Sequence, residues 1–183
     1  MHCVRALLAA GASPNPPPDE GRDDATPLHA AAHRGYARIV TALIRAGAEL
    51  EAVGRNRRTP LHLAARKGRV RCVAALLAAG ANVDAKESPL AGRTPFYWAR
   101  RRGKHRVYPL LLRAGAQIPT GYEWQGSELY ELYLERVDWA GGFRAYEKRH
   151  LAALVSTFAP KFSHLPDDLV GVVMMFYAHV GFY

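Results

Sequence analysis

The sequence predicts an all-α solenoid of stacked helix-turn-helix units, followed by a separate helical C-terminal region. Three observations carry that prediction. A block of about 33 residues recurs along the 183-residue chain: Thr26-Pro27-Leu28-His29 returns as Thr59-Pro60-Leu61-His62 and, 35 residues further on, as Thr94-Pro95-Phe96-Tyr97. Each copy places a glycine nine positions after its threonine, at Gly35, Gly68 and Gly103, and closes on a Gly-Ala pair at Gly47, Gly80 and Gly115. Between those glycines runs an apolar stripe in fixed register: Ile39, Val40, Leu43 and Ile44, then Cys72, Val73, Leu76 and Leu77, then Val107, Tyr108, Leu111 and Leu112.

The elements follow in order. A leading fragment ends at Gly11-Ala12 with the stripe Cys3, Val4, Leu7 and Leu8, but the helix that should precede it is missing. The chain is therefore expected to begin inside a repeat, as a fragment, a misplaced start or a face offered to another chain. In each full block the threonine caps a first helix, proline suits its first turn, and glycine supplies the left-handed stop. Alanines at Ala31, Ala32, Ala64 and Ala65 keep the first helices thin enough to stack closely. Past Pro119 the repeat stops. There Ser127 is the expected cap of one helix, and a second is expected after Gly141-Gly142, with Phe143, Tyr146, Leu151, Leu154, Val155 and Phe158 at helical spacing until Pro160 ends it.

Composition narrows the function. Two cysteines support neither a disulfide framework nor a four-ligand zinc site, which points to a reducing compartment. Cys3 and Cys72 occupy one slot in repeats two apart, about 16–20 Å if each repeat advances by one helix-packing distance. They cannot pair, and as small buried apolar side chains they need no further role. The longest nearly apolar stretch, residues 169–183, has 15 residues and contains His179, too short for a membrane span. The N-terminus lacks the apolar core of a signal peptide. The expectation is an intracellular, cytoplasmic protein, with the nucleus open. No nucleophile, carboxylate pair, phosphate loop or metal-ligand spacing appears, so no enzyme, metal or cofactor is expected.

The segments TPLHAAAHRGYARIVTALIRAGAELEA and TPLHLAARKGRVRCVAALLAAGANVDA resemble ankyrin repeats. The resemblance covers residues 1–118: a half repeat over 1–25 and full repeats over about 26–58, 59–93 and 94–118, leaving 119–183 as a helical extension or cap. The third repeat departs most, with Phe96-Tyr97-Trp98 in place of Leu-His-Leu, as a terminal repeat would. The resemblance implies β-hairpin-like loops, or fingers, beside a concave protein-binding surface, and no catalysis. It assigns Thr26, His29, Thr59, His62 and Thr94 to bracing the helix starts and adjoining loops. The glycine that the family places two residues before the threonine survives only as Gly92; Asp24 and Arg57 stand at the other two, so the turns are expected to shift to Gly21 and Gly54.

Charge concentrates where that surface should lie. Residues 55–113 hold 15 Lys plus Arg against Asp84 and Glu87, net +13 in a chain of net +9, so the remainder sums to −4. Contact positions implied by the resemblance are Arg55, Asn56, Arg58, Arg66 and Lys67 in the middle repeat and Leu90, Ala91, Arg93, Arg101 and Arg102 in the last. Seven of those ten are basic, whereas the first full repeat offers the mixed set Arg22, Asp23, Ala25, His33 and Arg34. Arginine abundance alone, 20 Arg against 5 Lys, is the competing explanation. As a site, this arginine-rich face suits an acidic or phosphorylated protein segment. Nucleic acid ranks below it, since neither interleaved aromatics nor a recognition helix is present.

The C-terminal segment LPDDLVGVVMMF at 165–176 resembles the start of an F-box. Ankyrin proteins with an F-box-like or SOCS-box-like C-terminus are substrate adaptors of ubiquitin ligases, which makes a ligase subunit the alternative partner. The preceding helix carries no cysteine of the kind a SOCS box has, and the segment is short for a full F-box. The bland reading is a cap over the last repeat, whose stacking surface would otherwise be bare.

Overall fold

The computed structural model describes residues 2–16, 26–54, 57–88, 92–118, 134–138 and 140–158. It divides into two compact units, Met1–Gly126 and Ser127–Tyr183. Among the described residues the regular structure is entirely helical, without a strand.

The first unit contains α1 (His2–Ala9), α2 (Pro27–Arg34), α3 (Ala37–Arg45), α4 (Pro60–Lys67), α5 (Val70–Ala78), α6 (Pro95–Arg101), a single 3₁₀ turn (His105–Val107) and α7 (Tyr108–Arg113). The first helices α2, α4 and α6 pack in one row and the second helices α3, α5 and α7 in another, each repeat supplying one of each. Pro27, Pro60 and Pro95 open the first-row helices, where the missing N–H has no intrahelical partner to lose. Pro109 likewise stands in the opening turn of α7. The predicted stripes supply part of the core, with Val40, Leu43, Val73, Leu76, Tyr108 and Leu111 buried, and Leu28, Leu61 and Phe96 of the first-row helices are buried with them. Each large apolar side chain taken from water contributes roughly 1.5–3 kcal/mol. Ala31, Ala32, Ala64 and Ala65 are buried as well, which is what lets the first row stack closely.

Adjacent repeats are joined by hydrogen bonds that recur at the repeat period. The Asn15 side chain accepts from the Glu49 N–H at 2.9 Å, Glu51 from Asn82 N–H at 2.8 Å, and Asp84 from Gln117 N–H at 3.1 Å. These are three occurrences of one rung: a side-chain oxygen three residues past a closing Ala bonds the backbone one residue past the next. Asn15 Nδ2 also donates to the Gly47 carbonyl at 3.0 Å.

Two expectations are corrected. The turn before the middle repeat does not move to Gly54: Arg57 itself takes the left-handed conformation, φ 56, in the place the family gives to glycine. Two hydrogen bonds, Arg57 N–H to Gly54 carbonyl at 2.9 Å and Gly54 N–H to Arg58 carbonyl at 3.0 Å, close the finger in that register. Gly21 lies outside the described residues. Cys72 is buried as expected, but Cys3 is exposed, because it lies with Leu7, 60% exposed, on a face of α1 that no described residue covers.

In the second unit, residues 134–138 are helical and bury Leu134 and Val137. Gly141 and Gly142 follow, and α8 (Phe143–Phe158) begins directly after them, where the apolar spacing places it. Tyr146 and His150, one turn apart on α8, stack with ring centroids 5.6 Å apart. The Ser127 cap, Pro160 and the F-box-like segment at 165–176 lie outside the described residues.

Candidate functional site

The threonine and histidine of the first two full repeats build the frame of the site. Thr26 N–H donates to His29 Nδ1 at 3.2 Å, and the Thr26 hydroxyl lies 2.9 Å from the same nitrogen. Nδ1 therefore accepts, which leaves the proton on Nε2 to bond the Arg58 carbonyl of the next repeat at 2.8 Å. The arrangement repeats one block later, with Thr59 on His62 Nδ1 at 3.2 and 2.9 Å and His62 Nε2 on the Arg93 carbonyl at 3.1 Å. This is a capping box in which histidine takes the usual glutamate place, and its second nitrogen fixes the finger that carries the following arginine. Both imidazoles are buried and neutral: burial pushes the His29 pKa down, and pushes that of His62 down to about 4. In the third repeat Thr94 still caps, accepting from Tyr97 N–H at 3.2 Å, while Tyr97 fills the histidine slot and its hydroxyl accepts from Arg101 Nη1 at 3.0 Å.

Histidine-held fingers deliver Arg58 and Arg93 to one place, and the last turns of α4 and α6 deliver Arg66 and Arg101. All four guanidinium carbons lie within 6 Å of the Trp98 ring centroid: Arg58 at 4.2 Å, Arg66 at 5.4 Å, Arg93 at 5.8 Å and Arg101 at 5.9 Å. Such contacts favour a cation by about 0.5–2 kcal/mol each. One carboxylate, the buried Glu87, sits among them. It accepts from Arg58 Nε at 2.9 Å, from Arg93 Nη1 at 3.2 Å and from Trp98 Nε1 at 3.0 Å. Burial pushes its pKa up, but the hydrogen bond and charge of Arg58, with Trp98 and Arg93, prevail and hold it below the ordinary carboxylate value.

Positive charge is not fully compensated. The Arg66 pKa is lowered, first by burial and then by the like charges of Arg102 and Arg58. The same excess reaches the previous repeat, where His33 is lowered by burial and then by Lys67, Arg34, Arg66 and Arg69. Arg34, Lys67, Arg101 and Arg102 are exposed, and His33, Arg58, Arg66 and Arg93 half-buried. Of the fifteen contact positions expected from the sequence, the eight just named are described; Arg22, Asp23, Ala25, Arg55, Asn56, Leu90 and Ala91 lie outside the described residues. Sequence reasoning missed Glu87, which it had counted only as a stray acid, and Trp98, which it had counted only as a departure from the repeat. The available signal was a Trp in the slot of Ala30 and Leu63, in the repeat reached by the longer 35-residue spacing and preceded by Glu87, the sole acid between Asp84 and Gly115.

Among the described residues no group of three His, Cys, Asp or Glu side chains is placed to hold a metal ion. Among them, too, no helix is long and apolar enough to cross a membrane. A family model described as ankyrin repeats (3 copies) matches residues 1–87 and 50–122, and the residues beyond it have no family assigned. No curated protein matches the chain significantly. Ankyrin repeats are protein–protein interaction modules, typically non-catalytic. With its threonine caps, histidine braces and three-copy match in agreement, the chain belongs to the ankyrin-repeat family.

Proposed function

We propose that this chain is a non-catalytic scaffold whose basic groove, lined by Arg58, Arg66, Lys67, Arg93, Arg101 and Arg102 and graded through His33 and Arg34 into the first full repeat, captures an acidic or phosphorylated segment of a protein partner. The observation that carries the reading is the convergence of four guanidinium groups on the Trp98 ring with one carboxylate between them. Clustered like charges repel, so an anion that enters gains the attraction and relieves the repulsion together. Stacked helices hold the donors in place beforehand, which lowers the ordering cost of binding.

The test is capture of partners from the native cell with the full chain and with a variant carrying Arg66→Glu and Arg101→Glu, after circular dichroism shows both folded. Acidic or phosphorylated proteins should be held by the first, lost by the second and released as salt rises from about 0.1 to 0.5 M, where screening shortens to a few ångströms. Identical capture by both forms, insensitive to salt, would sink the proposal.

A further inference from the structure

Resting on the reading above, we infer that the site formed by Arg66, Arg101 and Arg102 recognises a phosphorylated side chain, in preference to the carboxylates of an acidic run. Charge arithmetic around Trp98 points to it. Four guanidinium groups lie within 6 Å of the ring centroid and Glu87 contributes one negative charge, leaving three positive charges in excess before Arg102 is counted. One carboxylate removes a single charge from that excess. A phosphoryl group carries nearly two and offers three strong acceptor oxygens.

Glu87 is itself a worked example of what a carboxylate does here. It takes one N–H from Arg58, one from Arg93 and the indole N–H, and bonds neither Arg66 nor Arg101. Arg66 and Arg101 remain, at equivalent positions in the last turns of the adjacent helices α4 and α6. Arg101 is pre-oriented by its bond to the Tyr97 hydroxyl. Arg66 has its guanidinium against the Trp98 ring, and its N–H groups bond no carboxylate among the described residues. Arg102 is exposed and close enough to Arg66 to depress its pKa. First-row helices of neighbouring repeats sit about 8–10 Å apart, a gap that two arginine side chains close around one tetrahedral anion. The aromatic at this site does not serve as a stacking platform for a base. Trp98 is 5% exposed and Arg58 already stands 4.2 Å from its ring centre, which separates this site from single-strand readers.

Fluorescence anisotropy on the full chain tests the inference, with three labelled degenerate peptide pools that differ only in a fixed central phosphoserine, glutamate or serine, and a 12-nucleotide single strand as the fourth probe. The phosphoserine pool should bind at least tenfold more tightly than the glutamate pool. Arg66→Gln and Arg102→Gln, each with an unchanged melting temperature, should cut that preference below threefold. Glu87→Gln, which frees two guanidinium groups while keeping an acceptor for Trp98, should tighten the phosphoserine pool about threefold. Equal binding of the phosphoserine and glutamate pools, lost in Arg66→Gln, overturns the inference and leaves the acidic-segment reading standing. Tighter binding of the oligonucleotide overturns it in favour of nucleic acid. If no pool exceeds the serine pool, both this inference and the groove reading fall.

Discussion

Arg69 lies across Gly35 so closely that a Cβ added to the glycine would stand 2.8 Å from Arg69 Cδ, and the same side chain donates from Nε to the His33 carbonyl at 3.2 Å. The second helix of one repeat thus covers the C-terminus of the previous first helix, placing a cation where the helix dipole is negative. Lys104 stands in the same relation to Gly68, with a 3.0 Å approach. Glycine is required here for two separate reasons, the φ of +87 and the space.

Gly35→Ala should therefore destabilise the domain by about 1–2 kcal/mol from the left-handed backbone alone, and by more while Arg69 stays in place. Adding Arg69→Ala should return the steric part and leave the backbone part. Urea midpoints of the two single variants and the double variant separate the contributions. Strict additivity would mean that Arg69 moves aside without cost.

Arg57 offers the opposite case. A side chain held at φ 56 gives up part of the domain's stability, and Arg57→Gly should recover up to about 1 kcal/mol, less the unfolded-state entropy that glycine brings. A urea midpoint that falls on this substitution would show that the Arg57 side chain contributes more than its backbone costs.

Stability should fall as the solution is acidified below neutrality. His62 has its pKa depressed from the ordinary value near 6.5 to about 4, so the unfolded chain binds a proton that the folded one resists. The stabilisation is complete above pH 6.5 and is lost progressively as pH falls through 6 and 5 to about 4, up to roughly 3 kcal/mol from this residue. His29, also depressed, adds in the same direction. Glu87, held low by Arg58, extends the loss below the ordinary carboxylate range. Chemical denaturation at pH 7.5, 6 and 5 should give steadily lower midpoints, and His62→Gln should flatten that slope. A flat profile in the parent chain would contradict the buried neutral imidazole.

Glu87 is the residue whose truncation should cost most per atom removed. Glu87→Ala leaves the Arg58 and Arg93 guanidinium groups and the Trp98 N–H without their shared acceptor, a loss of about 2–3 kcal/mol for a buried carboxylate whose two cationic partners are half-buried. Glu87→Gln keeps an acceptor and should cost less than half as much. Thermal melts of the two variants check the order; equal melting temperatures would show that the pair contributes no net stability.

The repeat was legible because its signals are local: Thr26, Pro27, His29 and Gly35 fall within ten residues of one another and open and close one helix, and α8 follows from apolar spacing after Gly142. The Arg57 turn was misread because its register is set from outside. His29 bonds the Arg58 carbonyl from 29 residues away, and that hold keeps the turn in place whatever residue occupies it. The centre of the site was invisible for the same kind of reason. Glu87 meets Trp98 across 11 residues and Arg58 across 29, pairings decided by how the finger folds back and not by any motif. Cys3 was misplaced because it was read by analogy with Cys72 in the same slot, although the helix missing before the leading fragment already left its stripe uncovered.

The Asn15, Glu51 and Asp84 rungs each span 31 to 34 residues, one repeat and no further. No rung needs the two ends of the array to find one another, so loop-closure entropy does not grow as the array lengthens. Folding can start in whichever pair of blocks is locally strongest and spread outward by adding one neighbour at a time. The same property makes the array extensible: copying a whole block between the first and second should renew every rung on both sides and raise cooperativity, while moving His33 and Arg34 one repeat further from Arg93 and Arg101.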